Sequence, residues 1–285
     1  MMGEKIVRAP FRDWRQEPRL LLTAWVFFTR VPLPAALAAW VGYSPAMLRG
    51  SARYFPLVGM AVGALAAATY LAGAWLFSPA VAVVLSMIAT ILMTGAFHED
   101  GLADSCDGFG GGYTRERVLE IMQDSRVGAF GAIGITLMLL LKYATLISLA
   151  ETGEAGLVAW VLVTGHTLSR AAAVGLMRFL DYVRVDTGPK AKPLADGISS
   201  GAFAVALAIT ALPFALVARL FENGWLLALG CLPVGLAAWA AGAYFRRRIG
   251  GYTGDCLGAA QQVAEAVFYL FAAGLLLGFE TLPAN

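Results

Sequence analysis

The chain has 285 residues, 59% of them hydrophobic and 14% charged, with a formal net charge of +2 and a mean hydropathy of +0.70. A water-soluble domain carries about one-quarter charged residues, so this composition excludes one. The apolar excess is gathered into long runs separated by short stretches that hold most of the charge, which is the layout of a polytopic membrane protein with the lipid bilayer as its partner and no role for nucleic acid.

In chain order, a basic leader with Lys5, Arg8, Arg12, Arg15 and Arg19 comes first. It is too long and too mixed in charge for a signal peptide, and Arg30 interrupts the apolar run that follows. Leu20 to Trp40, broken by Pro32 and Pro34, predicts a short helix and a bent segment at the membrane interface. A helix needs about 20 apolar residues to cross a bilayer core about 30 Å thick. Seven runs qualify: Ala52 to Phe77, Pro79 to Phe97, Val127 to Ala150, Gly156 to Leu180, Ile198 to Leu220, Gly224 to Phe245 and Ala259 to Gly278. No strict alternation is present, so a β-barrel is excluded. The fold class is therefore all-α and polytopic. Residues 1–51 read as an N-terminal cytoplasmic or interfacial segment and 52–285 as one transmembrane catalytic domain.

The basic residues lie before the first span, between the second and third (Arg115, Arg117, Arg126), between the fourth and fifth (Arg178, Arg184, Lys190, Lys192) and between the sixth and seventh (Arg246, Arg247, Arg248). The other connections hold Arg219 beside Glu151, Glu154 and Glu222. By the positive-inside rule the N-terminus is cytoplasmic and the C-terminus external. The small-residue stretch Gly59 to Ala68 permits close helix packing within a chain or between chains, so a homo-oligomer is allowed.

Cys106, Cys231 and Cys256 show no metal-ligand or disulfide spacing, and the chain has two histidines. Any metal must be held by carboxylates. These are concentrated after the second span, in His98-Glu99-Asp100-Gly101-Leu102-Ala103-Asp104-Ser105-Cys106-Asp107-Gly108. If the helix continues, Asp100, Asp104 and Asp107 share one face within roughly a 60° arc. Such crowding is costly without a cation, and hard oxygen ligands select Mg²⁺ or Mn²⁺, which also take substrate phosphate oxygens. The expectation is metal-dependent phosphate chemistry at the cytoplasmic face, against the alternative of a solvated acidic loop.

Gly108 to Gly112 reads as a hinge or a phosphate-approach turn, after which Thr114 can cap a short helix from Arg115 to Gln123. Asp124-Ser125-Arg126 then brings another carboxylate and a cation to the same side. Within the spans, Lys142, His166, Arg170 and Glu265 should face the bundle interior, as a substrate path or as an internal pair. The connection from Arg246 to Gly258 reads as a topogenic anchor or as a basic clamp on an anionic substrate.

The acidic run above, Ile121-Met122-Gln123-Asp124-Ser125-Arg126-Val127-Gly128, and Gly250-Gly251-Tyr252-Thr253-Gly254-Asp255-Cys256-Leu257-Gly258-Ala259 with Glu265 resemble the cobalamin synthase (adenosylcobinamide-GDP ribazoletransferase) family. Thr29 to Pro34 and Phe55 to Gly59 resemble it too. The resemblance implies a multi-pass enzyme of the cytoplasmic (inner) membrane. Such an enzyme joins α-ribazole or its 5′-phosphate to adenosylcobinamide-GDP with Mg²⁺ and releases GMP. On that basis Asp100, Asp104, Asp107 and Asp124 are the expected metal ligands, and Asp107 or His98 is the general base. Ser125, Arg126, Arg170, Arg247, Asp255 and Glu265 are the expected substrate contacts. Two rivals fit less well. A CDP-alcohol phosphatidyltransferase would carry Arg where Asp104 stands, and a transporter would place its polar residues at the midplane and show an internal repeat.

Overall fold

A computed structural model describes residues 16–42, 44–183 and 197–280. The basic residues Lys5, Arg8, Arg12, Arg15, Arg184, Lys190 and Lys192 and the C-terminal end of the chain lie outside the described residues. Among those described, the chain forms helices α1 (Glu17–Phe28), α2 (Ala35–Val41), α3 (Pro45–Ser51), α4 (Phe55–Leu76), α5 (Pro79–Thr94) and α6 (Phe97–Gly111). Then follow α7 (Arg115–Met122), α8 (Ala129–Ala150), α9 (Ala155–Phe179), α10 (Ser200–Leu220), α11 (Cys231–Ile249) and α12 (Gly254–Glu280). Short 3-10 turns, Ala52–Tyr54 and Gly224–Gly230, lead into α4 and α11.

Six helical stretches are long and apolar enough to cross a membrane: Ala46–Leu76, Ala129–Ala150, Ala155–Phe179, Ser200–Leu220, Gly224–Ile249 and Gly254–Leu275. A seventh exists only if α5 and α6, bent by 88°, count as one broken span. The expected straight run from Pro79 into the acidic segment is thus corrected. With 16 residues, α5 is about 24 Å long, short of a full crossing. It ends at Gly95, whose φ of +67° caps the helix in the left-handed region, and Ala96 follows with a φ of +58°. The Arg30 side chain occupies the space that a Cβ at Gly95 would need, and the Arg30 N–H donates to the Met93 carbonyl at 2.7 Å. The corner is therefore tied to the N-terminal segment. From it α6 starts as a new helix.

Helices α9 and α12 form the centre, with 83% and 72% of their apolar windows buried, against 22% for α8 and for Gly224–Ile249. The outer helices thus turn their leucines and tryptophans to the lipid, as Leu137, Leu236 and Trp239 show. Lipid tails are as apolar as leucine, so association of these helices depends on close packing. At Gly59 and Gly63, α4 approaches the backbone of α9: a Cβ at Gly63 would lie 2.7 Å from Val163 Cα, and one at Gly59 would strike the His166 carbonyl. The N-terminal segment packs on the same body through Phe27 and Phe28, whose rings meet Phe55 and Phe97, and through Glu17, which accepts from Arg53 at 3.0 Å and Tyr54 at 2.8 Å.

Replacing Gly63 by Ala forces α4 off α9 and is expected to lower stability by about 1–3 kcal/mol, as overpacking does. The check is reversible denaturation of the purified protein in mixed micelles. Gly201→Ala, where a Cβ meets nothing within 4 Å, should leave the transition unmoved.

Candidate active site

The α6 helix runs along the first turns of α12. A Cβ at Gly101 would lie 3.1 Å from Asp255 Cα, and one at Gly258 would lie 3.4 Å from His98 Cα. The absence of side chains at these two positions lets the helices meet and sets Asp255 beside the acidic face of α6. Thr253 caps α12 by accepting the Cys256 N–H at 3.2 Å, and its hydroxyl donates to Asp255 at 3.4 Å. The preceding loop is fixed by backbone bonds to the end of α9, with Tyr252 N–H to Asp181 O at 2.9 Å and Val183 N–H to Tyr252 O at 2.8 Å. The loop's arginines then divide. Arg248 donates to the carbonyls of Phe109 and Gly112 at 3.2 and 2.7 Å and lies over the Phe109 and Tyr244 rings, closing the C-terminal end of α6. Arg246 donates to Phe179 O at 3.0 Å, and Arg247 is exposed to solvent.

On α6 itself, Asp100 is exposed, Asp104 is half-buried and Asp107 is buried. Asp100, Asp255 and Asp107 all place negative charge beside Asp104. The sharing of one face by Asp100 and Asp104 is as the helical spacing predicts.

Asp107, expected as metal ligand and base, is bonded to the start of α8. Its Oδ2 accepts the Gly128 N–H at 2.7 Å and its Oδ1 the Gly131 N–H at 2.8 Å. Gly131 lacks the Cβ that would collide with this carboxylate. An anionic group on the free N–H groups at a helix start is a favourable pairing, and here it commits both oxygens. Asp107 is the bracket that holds the start of α8 and, with it, the loop that precedes that helix.

That loop carries Asp124, Ser125 and Arg126. Thr114 caps α7 as expected, accepting the Arg117 N–H at 3.3 Å. Asp124 is held bidentately by Arg126, Nε to Oδ1 at 3.0 Å and Nη2 to Oδ2 at 2.6 Å, with the Arg126 N–H on Oδ1 at 3.1 Å. These bonds from Arg126 hold the Asp124 carboxyl down at about 2. Asp124, expected as a metal ligand, is thus paired with the Arg126 guanidinium, while Ser125 and Arg126 are exposed. Among the described residues, no three His, Cys, Asp or Glu side chains converge closely enough to hold a metal ion by themselves. The expected quartet Asp100, Asp104, Asp107 and Asp124 is not brought into one sphere. The free hard-oxygen donors Asp100 and Asp104, with Asp255 beside them, still suit Mg²⁺, which needs one or two carboxylates when substrate phosphates supply the rest.

His98, the other expected base, points the opposite way. It is buried, stacked on Phe28 with centroids 5.4 Å apart, and its Nε2 finds no partner among the described residues. A cavity of about 40 Å³ lies there, shared with Arg170 and Phe97.

Arg170 and Glu265, expected as substrate contacts, lie in a buried polar cluster inside the bundle. Glu265 accepts from Lys142 at 2.7 Å through Oε1 and from Gln261 at 2.7 Å through Oε2, and His166 Nδ1 stands 2.9 Å from that same Oε2. Arg170 lies 3.8 Å away and donates to His166 O at 2.9 Å. Lys142 also donates to Gln262 at 2.6 Å, and Gln262 donates to Glu99 at 3.0 Å. Lys142, Arg170 and Glu265 are each at most 5% exposed, so the cluster is sealed. Sequence reasoning foresaw the inward-facing charges but not Gln261, Gln262 and Glu99, which polar spacing along α12 and α6 would have suggested.

Comparison with known proteins adds three findings. Residues 20–273 match the family model described as cobalamin-5-phosphate synthase. Curated proteins named adenosylcobinamide-GDP ribazoletransferase are similar over most of the chain: one from Polaromonas sp. is 49% identical across 88% of this chain and 95% of its own, and one from Shewanella piezotolerans is 44% identical across 91% and 96%. No solved structure matches.

Two outcomes test this geometry. Asp107→Asn loses an acceptor for one of two backbone N–H groups, so amide hydrogen exchange at Gly128 to Ala132 should accelerate about tenfold, a net hydrogen bond being worth about 1 kcal/mol or somewhat more with a charged acceptor. Lys142→Met should cost about 3–5 kcal/mol by leaving Glu265 under-compensated, and Lys142→Met with Glu265→Met should recover part of that in the same denaturation assay.

Proposed function

The chain belongs to the cobalamin-5-phosphate synthase family, and we propose that it joins α-ribazole, or its 5′-phosphate, to adenosylcobinamide-GDP with release of GMP. The observation that carries this reading is the carboxylate face of α6, where Asp100, Asp255 and Asp107 crowd negative charge around Asp104. Uncompensated negative charge is an invitation to a divalent cation and, through it, to a pyrophosphate.

In this reading Asp100 and Asp104 would hold Mg²⁺, with Asp255 alongside. Bound there, the ion polarises the phosphoryl oxygens and offsets charge on the departing GMP phosphate. The chain's own residues supply the rest. Arg126 would meet phosphate with its remaining donors while Asp124 fixes the plane of its guanidinium, and the exposed Arg247 would add a second cation. Ser125 offers a hydroxyl to the same phosphate. The proton of the attacking 5′-hydroxyl goes to Asp100 or Asp104 of the α6 face, because Asp107 is bonded to the start of α8 and His98 is buried against Phe28. The orphaned charge, the basic loops and the family together support a location in the cytoplasmic membrane with this face toward the cytoplasm.

Purified protein given adenosylcobinamide-GDP and α-ribazole should release GMP, chelation of Mg²⁺ should stop it, and Asp104→Asn should reduce it by about three orders of magnitude or more with the fold intact. Near-normal turnover by that variant contradicts the assignment. The Asp124 group stays ionised as pH falls until about 2, and its contribution is lost only below that. The activity ratio of Asp124→Asn to the parent is therefore expected to be constant between about pH 5 and 9.

A further inference from the structure

Neither the acidic face nor the buried cluster involves a large apolar crevice, of about 750 Å³ among the described residues, between α9, α10 and α11. Leu176, Leu207, Phe214, Val234 and Trp239 line it. Gly175 and Gly235 stand on its walls, and a Cβ at either would meet nothing within 4 Å. The void is not a packing defect. A cavity of about 150 Å³ already holds a benzene, and this one is several times larger. Along α11 its lining runs from Cys231 to Arg246, about 22 Å of helix, which exceeds the ~15 Å occupied by the chains of one leaflet.

The crevice opens to the surface that faces lipid, where Trp239 is 71% and Phe179 66% exposed. At one end it is basic. Arg246 lines it, and Arg178 lies over the Phe179 ring at 5.6 Å and donates to Ser200 at 3.2 Å. Neither arginine forms an ion pair with a carboxylate among the described residues. Both lie on the side of the bundle where Arg248, two residues from Arg246, holds the end of α6.

We propose that this crevice is a binding site for an anionic phospholipid, with an acyl chain lying between α10 and α11 and the phosphate at Arg178 and Arg246. Any apolar crevice that opens to a bilayer takes up acyl chain. What distinguishes this one is a pair of guanidinium groups at headgroup level with no carboxylate partner among the described residues, whose forks match phosphate geometry and whose charge favours an anionic over a zwitterionic lipid. Basic pockets between membrane helices on the side of the basic loops are where acidic headgroups are held.

The test is native mass spectrometry of the full chain in detergent, titrated with dioleoyl phosphatidylglycerol or dioleoyl phosphatidylcholine. One phosphatidylglycerol should be retained about 25-fold more tightly than phosphatidylcholine. The double variant Arg178→Gln, Arg246→Gln should bring the two lipids to equal retention, at about fivefold per arginine. Gly235→Phe, which fills the crevice, should displace both lipids. Equal retention of the two lipids by the parent protein overturns the proposal, as does unchanged phosphatidylglycerol binding in the arginine variant, which stands independently of whether Gly235→Phe folds. A dimer that Gly235→Phe dissolves would make a second copy the occupant and would also overturn it.

Discussion

A charge within a bilayer must be partnered, and this requirement divides the ionic groups of the molecule into two sets. The inner set is buried. Glu265 and Glu99 are matched by Lys142 and Arg170, and His166, Gln261 and Gln262 add hydrogen bonds, while Glu99 Oε2 and Arg170 Nε find no partner among the described residues. These residues come from α6, α8, α9 and α12, so one buried carboxylate ties together the helices on which the rest is mounted. Satisfied, such a network specifies one arrangement; with one member lost, it leaves a charge with nowhere to go.

The outer set is open, and its members are held at the edge of the inner one. The same helix that sends Glu99 into the cluster presents Asp100 and Asp104 on another face, and α12, which carries Glu265, begins with Asp255. Asp107 links this pair of helices to α8 through backbone N–H groups, which places the Asp124 to Arg126 loop next to the acids. The geometry of the outer set is thus a consequence of the inner one. A substrate that brings a cation and a pyrophosphate supplies the neutralisation that the protein withholds.

Much of this was legible in the residues. The spans could be read because about 20 apolar residues in succession have few other uses, and the acidic face because a helical period puts Asp100 and Asp104 together. The 88° corner was harder: Gly95 is a stop signal, but Ala96 in the left-handed region is set by tertiary contact with the N-terminal segment. The roles of Asp107, Arg170 and Glu265 were not legible. Spacing shows which face a side chain leaves from, but not that both oxygens of Asp107 meet a helix start 21 and 24 residues away, or that Arg170 and Glu265 meet across 95 residues of chain.

The central claim is that the open carboxylates of α6 hold a divalent ion against the substrate's pyrophosphate. Electron–nuclear double resonance on the purified protein with Mn²⁺ and adenosylcobinamide-GDP tests it most directly, because it reads ³¹P coupling to the bound ion without turnover. The account predicts a strong ³¹P coupling in the parent protein and in Asp107→Asn, and its loss in Asp104→Asn. An unchanged coupling in Asp104→Asn would contradict it.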